Sequence, residues 1–133
     1  MGLKEEEIIE YITSKGFNLK EKSFVWCNKM PSNSDYFTFG SLANLNIKYY
    51  IIVFLENDIM LIPVVGIKTM KDYILISKKE VKLLKFKKAI ISYNVIIKTS
   101  KNTVKLRINK FMIGANWHKE NLKIILEQYN HKT

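Results

Sequence analysis

The 133-residue chain holds one cysteine, two histidines, two prolines and a single arginine. A lone cysteine, Cys27, cannot form an intramolecular disulfide, which excludes a disulfide scaffold and fits a reducing compartment. One cysteine and two histidines match none of the common zinc spacings, so no metal site is expected. The five glycines are scattered, and none falls in a GxGxxG or GxxxxGK phosphate loop. Long hydrophobic runs are missing too. The longest are Tyr49 to Leu55 and Ile59 to Ile67, the second interrupted by Pro63 and Gly66. A spanning helix would need about 18 apolar residues. The opening Met1-Gly2-Leu3-Lys4-Glu5-Glu6-Glu7 places three acids where a signal peptide needs basic and then apolar residues. Gly2 is not followed by the Ser or Thr at position 6 that myristoylation wants; Glu6 stands there. The cytoplasm is the simplest location.

The search for catalytic chemistry is nearly as empty. His131 lies two residues from the end of the given chain, and His118 has no carboxylate spaced to orient its ring as a catalytic base requires. His118 therefore reads as a first-turn residue of a helix. Cys27 stands between Trp26 and Asn28, neither of which is a base or an activating charge, so it reads as a structural thiol. Asp58, in Glu56-Asn57-Asp58, is a turn residue rather than half of an acid pair. No nucleophile, base and orienting group assemble, no cofactor or small-molecule substrate is indicated, and a non-enzymatic role is expected.

What is present is an ordinary globular composition, 47% hydrophobic and 26% charged, close to the averages of about 45–50% and 25%. A single domain of this length buries roughly two-thirds of its unfolded surface without a staple. The net charge is +10, and its distribution is uneven. Residues 1–67 hold six lysines against eight acids, whereas residues 68–133 hold sixteen basic residues against four acids. Twenty-one of the 22 basic residues are lysine, the exception being Arg107. Lys, Ile and Asn have A/T-rich codons, so genome bias contributes to the excess, and position is more informative than total.

The hydrophobic pattern gives the order of elements. Glu5, Glu6, Glu7 and Glu10 crowd the first turns of a short helix, where carboxylates favour the dipole. Ile8, Ile9 and Ile12 form its narrow apolar stripe, and Gly16 can end it in a Schellman motif with Phe17 folded back onto Ile12. Residues 18–35 are mixed, with Phe24-Val25-Trp26 apolar and Met30 to Asp35 a loop signal. Tyr36-Phe37-Thr38-Phe39 is a strand candidate closed by Gly40. Tyr49–Leu55 and Ile59–Val65, joined by Glu56-Asn57-Asp58, read as a hairpin, with Pro63 placed near a strand end, a bulge or an edge. Tyr73–Ile76 is another strand. Lys78-Lys79-Glu80 interrupts it, and the next begins at Val81. Ile91, Tyr93, Val95 and Ile97 fall on one face of the following strand, and Val104, Leu106 and Ile108 face inward on the last. After Gly114 the period turns helical, with Asn116 as N-cap and Leu122, Ile125, Leu126 and Tyr129 as the stripe.

From about Tyr36 to Tyr129 this order resembles a bacterial pleckstrin-homology-like (PH-like) domain. The matching pieces are the Tyr49–Leu55 and Ile59–Val65 hairpin, the short connection Ile76-Ser77-Lys78-Lys79-Glu80-Val81, the hairpin from Ile90 to Lys110, and the helix from Trp117. The resemblance implies a mainly β, α+β fold: a barrel of about seven antiparallel strands in two sheets, capped by the C-terminal helix, with the N-terminal helix outside the pattern. It divides the chain into a lead-in segment, 1–35, and a PH-like unit, 36–133, and implies a binding or assembly scaffold. Eukaryotic members that hold phosphoinositides use basic residues around the first inter-strand loop. The corresponding stretch here, Gly40 to Ile47, has no Lys or Arg, so no headgroup ligand carries over.

The lysine cluster is the one feature with functional weight. Lys78, Lys79, Lys82, Lys85, Lys87 and Lys88 fall within eleven residues, and Lys98, Lys101, Lys105, Arg107 and Lys110 follow on the next hairpin. Lys82, Lys85, Lys87, Lys98, Lys105 and Arg107 are the candidates for a basic binding face. Two functions are expected. The first is a cytoplasmic, non-enzymatic PH-like module for protein binding or self-association, as a homodimer whose contacts include Ile8, Ile9 and Ile12. The second is peripheral binding of anionic membrane lipid through the lysine-rich face. With one arginine and aromatics that alternate inward, nucleic acid is the weaker partner.

Overall fold

A computed structural model describes residues 2–19, 21–29, 48–66 and 68–129. The element order is α1 (Glu5–Ser14), β1 (Phe24–Lys29), β2 (Tyr49–Phe54), β3 (Asp58–Val65), β4 (Thr69–Met70), β5 (Ile74–Ser77), a 3-10 turn (Lys78–Glu80), β6 (Val81–Lys88), β7 (Ser92–Thr99), β8 (Thr103–Asn109) and α2 (Asn116–Tyr129). The strand candidate Tyr36–Phe39 and the Gly40–Ile47 stretch lie outside the described residues.

All the strand pairs are antiparallel, in the order β4-β3-β2-β1-β8-β7-β6, with β5 paired to β3 beside β4. β1, in the stretch read as a mixed lead-in, pairs with both β2 and β8. It therefore joins the two halves of the sheet, and the expected division at residue 35 would cut through that sheet. The sheet is also open rather than a closed barrel: β6 ends one side, and β4 and β5 end the other. Side chains fill the gap between these edges. Tyr129, at the end of α2, packs at a tilt on Phe54 of β2 and stacks with Phe86 of β6, at ring centroids of 4.9 and 6.3 Å. Lys78, in the turn between β5 and β6, donates to the Tyr129 hydroxyl at 2.8 Å.

Two apolar cores lie on opposite sides of β1–β3. The inner one is built from Val25, Cys27, Ile52, Phe54, Ile59 and Leu61 against Phe86, Val95, Ile97, Val104, Leu106 and Ile108, with Leu122 and Ile125 of α2 closing it. The outer one sets Leu3, Ile8 and Ile12 against Phe24, Trp26, Ile51, Val53, Met60 and Ile62. Burial on both faces is why β2 and β3 read as continuous apolar runs with no alternation, whereas β8, covered on one face, alternates cleanly. Pro63 sits between the β3 residues that pair with β5 and those that pair with β4, so its missing donor interrupts no ladder on that side.

α1 docks as its sequence requires. The Lys4 amide donates to Glu7 Oε1 at 2.7 Å at its start. At its end Gly16 takes φ +91°, Phe17 N–H donates to the Ile12 carbonyl at 3.2 Å and Gly16 N–H to the Thr13 carbonyl at 3.0 Å, the two bonds of a Schellman ending. The Tyr11 hydroxyl then ties the helix to the Lys71 carbonyl at 2.6 Å. The burial demanded by Ile8 and Ile12 is thus met within the chain, and Ile9 packs at the margin of the same core.

α2 seals the inner core more with Leu122 and Ile125 than with Leu126 and Tyr129, which are half-buried. Ile125→Ala should lower the unfolding free energy by about 2–5 kcal/mol, the range for truncating a filled core site. Leu126→Ala should lose distinctly less. Urea denaturation of the two variants checks the order, and equal losses would contradict this placement of the helix.

Candidate functional site

The sheet's outer side is divided by what covers it. α1 covers β1–β3. On β6–β8 the register gathers charge instead. Lys85 stands beside Ile96, and Ile96 beside Lys105; Lys87 stands beside Asn94, and Asn94 beside Arg107. Lys98 lies beside Leu83 and Thr103. Five of the six expected basic residues, Lys85, Lys87, Lys98, Lys105 and Arg107, therefore share one face. Lys82 does not join them: it is the extra residue at the bulge between Val81 and Leu83. Neither β6, β7 nor β8 contains an acid. Lys85, Lys87 and Lys98 are exposed, while Lys105 and Arg107 are half-buried. Asn28 of β1 pairs with Arg107 and continues the polar row to the rim of the α1-covered face. Of the α1 acids, Glu5 meets Lys22 at 3.5 Å, a lysine of the acidic half.

The candidate nucleophile and base are both committed elsewhere. Cys27 is buried, and burial pushes its thiol well above the ordinary range, so it stays protonated. His118 is buried between two strands. Among the described residues, β1 and β8 pair only at Asn28 and Lys29. Extending that register sets Asn109 opposite Trp26, and there the strands have separated. His118 fills the gap: its Nδ1 accepts the Trp26 amide at 3.2 Å, and its Nε2 lies 2.6 Å from the Asn109 carbonyl. An acceptor at Nδ1 fixes the hydrogen on Nε2, so the neutral ring bridges a donor to an acceptor. One turn later, Asn121 Nδ2 donates to the Phe24 carbonyl at 3.2 Å. The sequence placed His118 at the start of a helix but gave no sign of this bridge, because the partners lie nine and 92 residues away.

The clefts characterised among the described residues hold no catalytic constellation either. The cleft of about 330 Å³ beside Tyr129 is lined by Glu21, Ser23, Glu56 and Lys78 among others, with no histidine or cysteine. Ser23 there donates to the Phe54 carbonyl at 2.8 Å. Among the described residues, no group of three His, Cys, Asp or Glu side chains could hold a metal ion, and no helix is long and apolar enough to cross a membrane.

Sequence reasoning missed a second feature of this half. Ile91, expected on the inward face with Tyr93 and Val95, precedes the strand. The Ala89 amide donates to the Ser92 carbonyl at 2.8 Å, so Ile90 and Ile91 form the β6–β7 turn. They are 91% and 71% exposed. Neither a family model, nor a curated protein, nor a solved structure matches the chain.

The His118 bridge sets a pH dependence. Burial lowers the imidazole below its ordinary value of 6.5, with the Asn109 hydrogen bond opposing in part. The unfolded state then binds more protons between the folded and unfolded values. The bridge's contribution is full above about pH 6.5 and is lost as pH falls through the folded value, because an imidazolium cannot accept the Trp26 amide. His118→Ala, which leaves that amide unsatisfied, should cost about 1–3 kcal/mol at neutral pH. Urea titrations should show the gap between wild type and variant narrowing below about pH 6. A gap independent of pH would argue against the neutral bridge.

Proposed function

We propose that this chain is a non-enzymatic, cytoplasmic PH-like module that binds the surface of an anionic membrane through the outer face of β6–β8. The observation that carries this reading is the gathering of Lys85, Lys87, Lys98, Lys105 and Arg107 on three adjacent strands that hold no acid. Each basic residue near an anionic leaflet contributes roughly 1 kcal/mol, so a face of five suffices for reversible docking without any shaped headgroup pocket. A broad, flat array of lysines suits a diffuse negative surface better than a single bidentate ligand, which arginine serves best. The PH-like reading draws support from the two-sided inner core, with β1–β3 facing β6–β8 and α2 at their margin. The non-enzymatic reading draws support from the commitments of His118 and Cys27.

Self-association through Ile8, Ile9 and Ile12 is less favoured by this geometry. To present those side chains, α1 would have to leave the face it covers, exposing Trp26, Ile51, Met60 and Ile62. The apolar area returned to water there would offset the area that a dimer buries.

The test is sedimentation with vesicles of phosphatidylcholine and phosphatidylserine. Binding should weaken steeply as ionic strength rises through about 0.15 M, where the screening length is about 8 Å. Replacing the exposed Lys85, Lys87 and Lys98 by Gln should weaken it about 100-fold. Thermal stability should hardly move, as surface substitutions change it by about 0.5 kcal/mol or less. No sedimentation of the wild type even at low salt would reject the reading.

A further inference from the structure

The two loops at one end of β6–β8 carry the most exposed of the large apolar side chains among the described residues. The first is the two-residue turn of Ile90 and Ile91. The second follows β8, where Phe111 is 68% exposed and Ile113 is fully exposed. The loops are tied together. Ser92 pairs with Asn109, the Lys110 amide donates to the Ile91 carbonyl at 3.0 Å, and Lys110 Nζ donates to the Ile90 carbonyl at 2.9 Å. Between Phe111 and Ile113, Met112 turns inward onto the outer core and so does Ala115, with Gly114 at φ +83° in the turn. Met112 and Ala115 are therefore spent on the fold, while Phe111 and Ile113 are presented outward.

Folding does not explain the outward ones. A two-residue hairpin turn favours Gly, Asn or Asp, and β-branched residues suit it poorly. Two adjacent isoleucines here break the local rule at a site where they stay mostly exposed, and such exceptions concentrate at functional sites. Contiguous exposed apolar surface marks an interaction site. The surroundings specify the partner. Lys119 Nζ stands 5.5 Å above the Phe111 ring and Lys110 Nζ 5.5 Å above the Tyr93 ring. Lys87 and Lys88 lead into the turn, and Lys87 belongs to the basic face behind it. The tip is apolar at its point, with lysines at its base and no acid in the chain between Val81 and Trp117; Glu5, Glu6 and Glu120 line the cleft that Gly114 adjoins. An anionic lipid bilayer has the complementary order, with negative headgroups outside and hydrocarbon beneath.

We infer that Ile90, Ile91, Phe111 and Ile113 form a wedge that inserts into the headgroup and upper acyl region of an anionic bilayer, while Lys87, Lys110 and Lys119 meet the headgroups around it. This rests on the membrane reading above and adds to it a second, salt-resistant component of binding and a fixed orientation, with the loop end of β6–β8 pointed down.

Ile90→Ser combined with Ile113→Ser removes the wedge at exposed positions and leaves the basic face intact. On roughly 3:1 phosphatidylcholine–phosphatidylserine vesicles, the double variant should bind about 10–100-fold more weakly than wild type, the factor for withdrawing two partly inserted isoleucines. The wild type should retain binding at a salt concentration that releases the variant. Ile113→Trp should show a blue shift on these vesicles and quenching by brominated acyl chains beyond that of the native tryptophans. Equal vesicle binding by wild type and double variant, with salt alone abolishing both, would overturn the wedge and leave the basic-face reading standing. Absence of wild-type binding at low salt would overturn both. A dimer in solution that the double variant abolishes, with no quenching by brominated lipid, would also overturn the wedge, because the tip would then face a second copy.

Discussion

The far edge of β1 is the constraint around which the molecule is arranged. Phe24, Trp26 and Asn28 direct their backbone groups away from β2, and only Asn28 finds β8 as a partner. The strands separate beyond that point because the inner core must open wide enough to hold Leu122 and Ile125. Buried backbone groups cannot be left unpaired, at a penalty of about 1–3 kcal/mol each. α2 resolves the conflict with the polar residues of the same helix whose apolar stripe caused it. His118 spans the Trp26 amide and the Asn109 carbonyl, and Asn121 takes the Phe24 carbonyl. A helix with only its apolar stripe would fill the core but leave the split unsealed. The polar pair fixes the axial position and rotation of α2, and with them the placement of Tyr129 against Phe54 and Phe86 at the sheet's open side.

The same architecture decides where charge can stand. With α1 over β1–β3, the outer side of those strands must be apolar, and Trp26, Ile51, Met60 and Ile62 comply. Among the described residues no helix covers the outer side of β6–β8, which is free to be polar. Lysine there also protects an exposed edge. Among the described strands β6 ends the sheet, and Lys82, Lys85, Lys87 and Lys88 make strand-to-strand association of two such edges repulsive. Part of the basic surplus thus follows from having an open sheet at all. An anionic surface would meet that surplus without demanding anything further of the fold.

How much of this was legible depended on how many faces of an element are buried. β8 announced itself, because Val104, Leu106 and Ile108 alternate with Thr103, Lys105, Arg107 and Asn109. The β2–β3 hairpin was readable from its β-branched runs and its turn, and α1 from its acids, its stripe and Gly16. β1 was not: Phe24 to Cys27 are buried on both faces, so the six-residue strand shows neither alternation nor a long run. Ile91 continued the parity of β7 by one residue too many, since periodicity cannot tell where a strand stops and a turn starts. The basic face was visible as a cluster, but Lys82 counted as part of it until the bulge displaced it. His118 was unreadable in principle. Its meaning lies in the space between two strands whose separation only the packed core determines.

The bridge at the β1 edge links residues 92 and 97 positions apart in the chain. On a ribosome, a growing chain of this protein can form α1 and the β2–β3 hairpin early, from local contacts. β1 must then wait with one edge bare until α2 has cleared the exit tunnel. Throughout that interval the apolar runs of β1, β2 and β3 are covered by α1 on one side only. Contacts so distant in sequence form slowly, and transiently bare strand edges are what chaperones engage. The early synthesis of α1 is therefore more than an ornament on the sheet: it shields half of the nascent core before the other half exists.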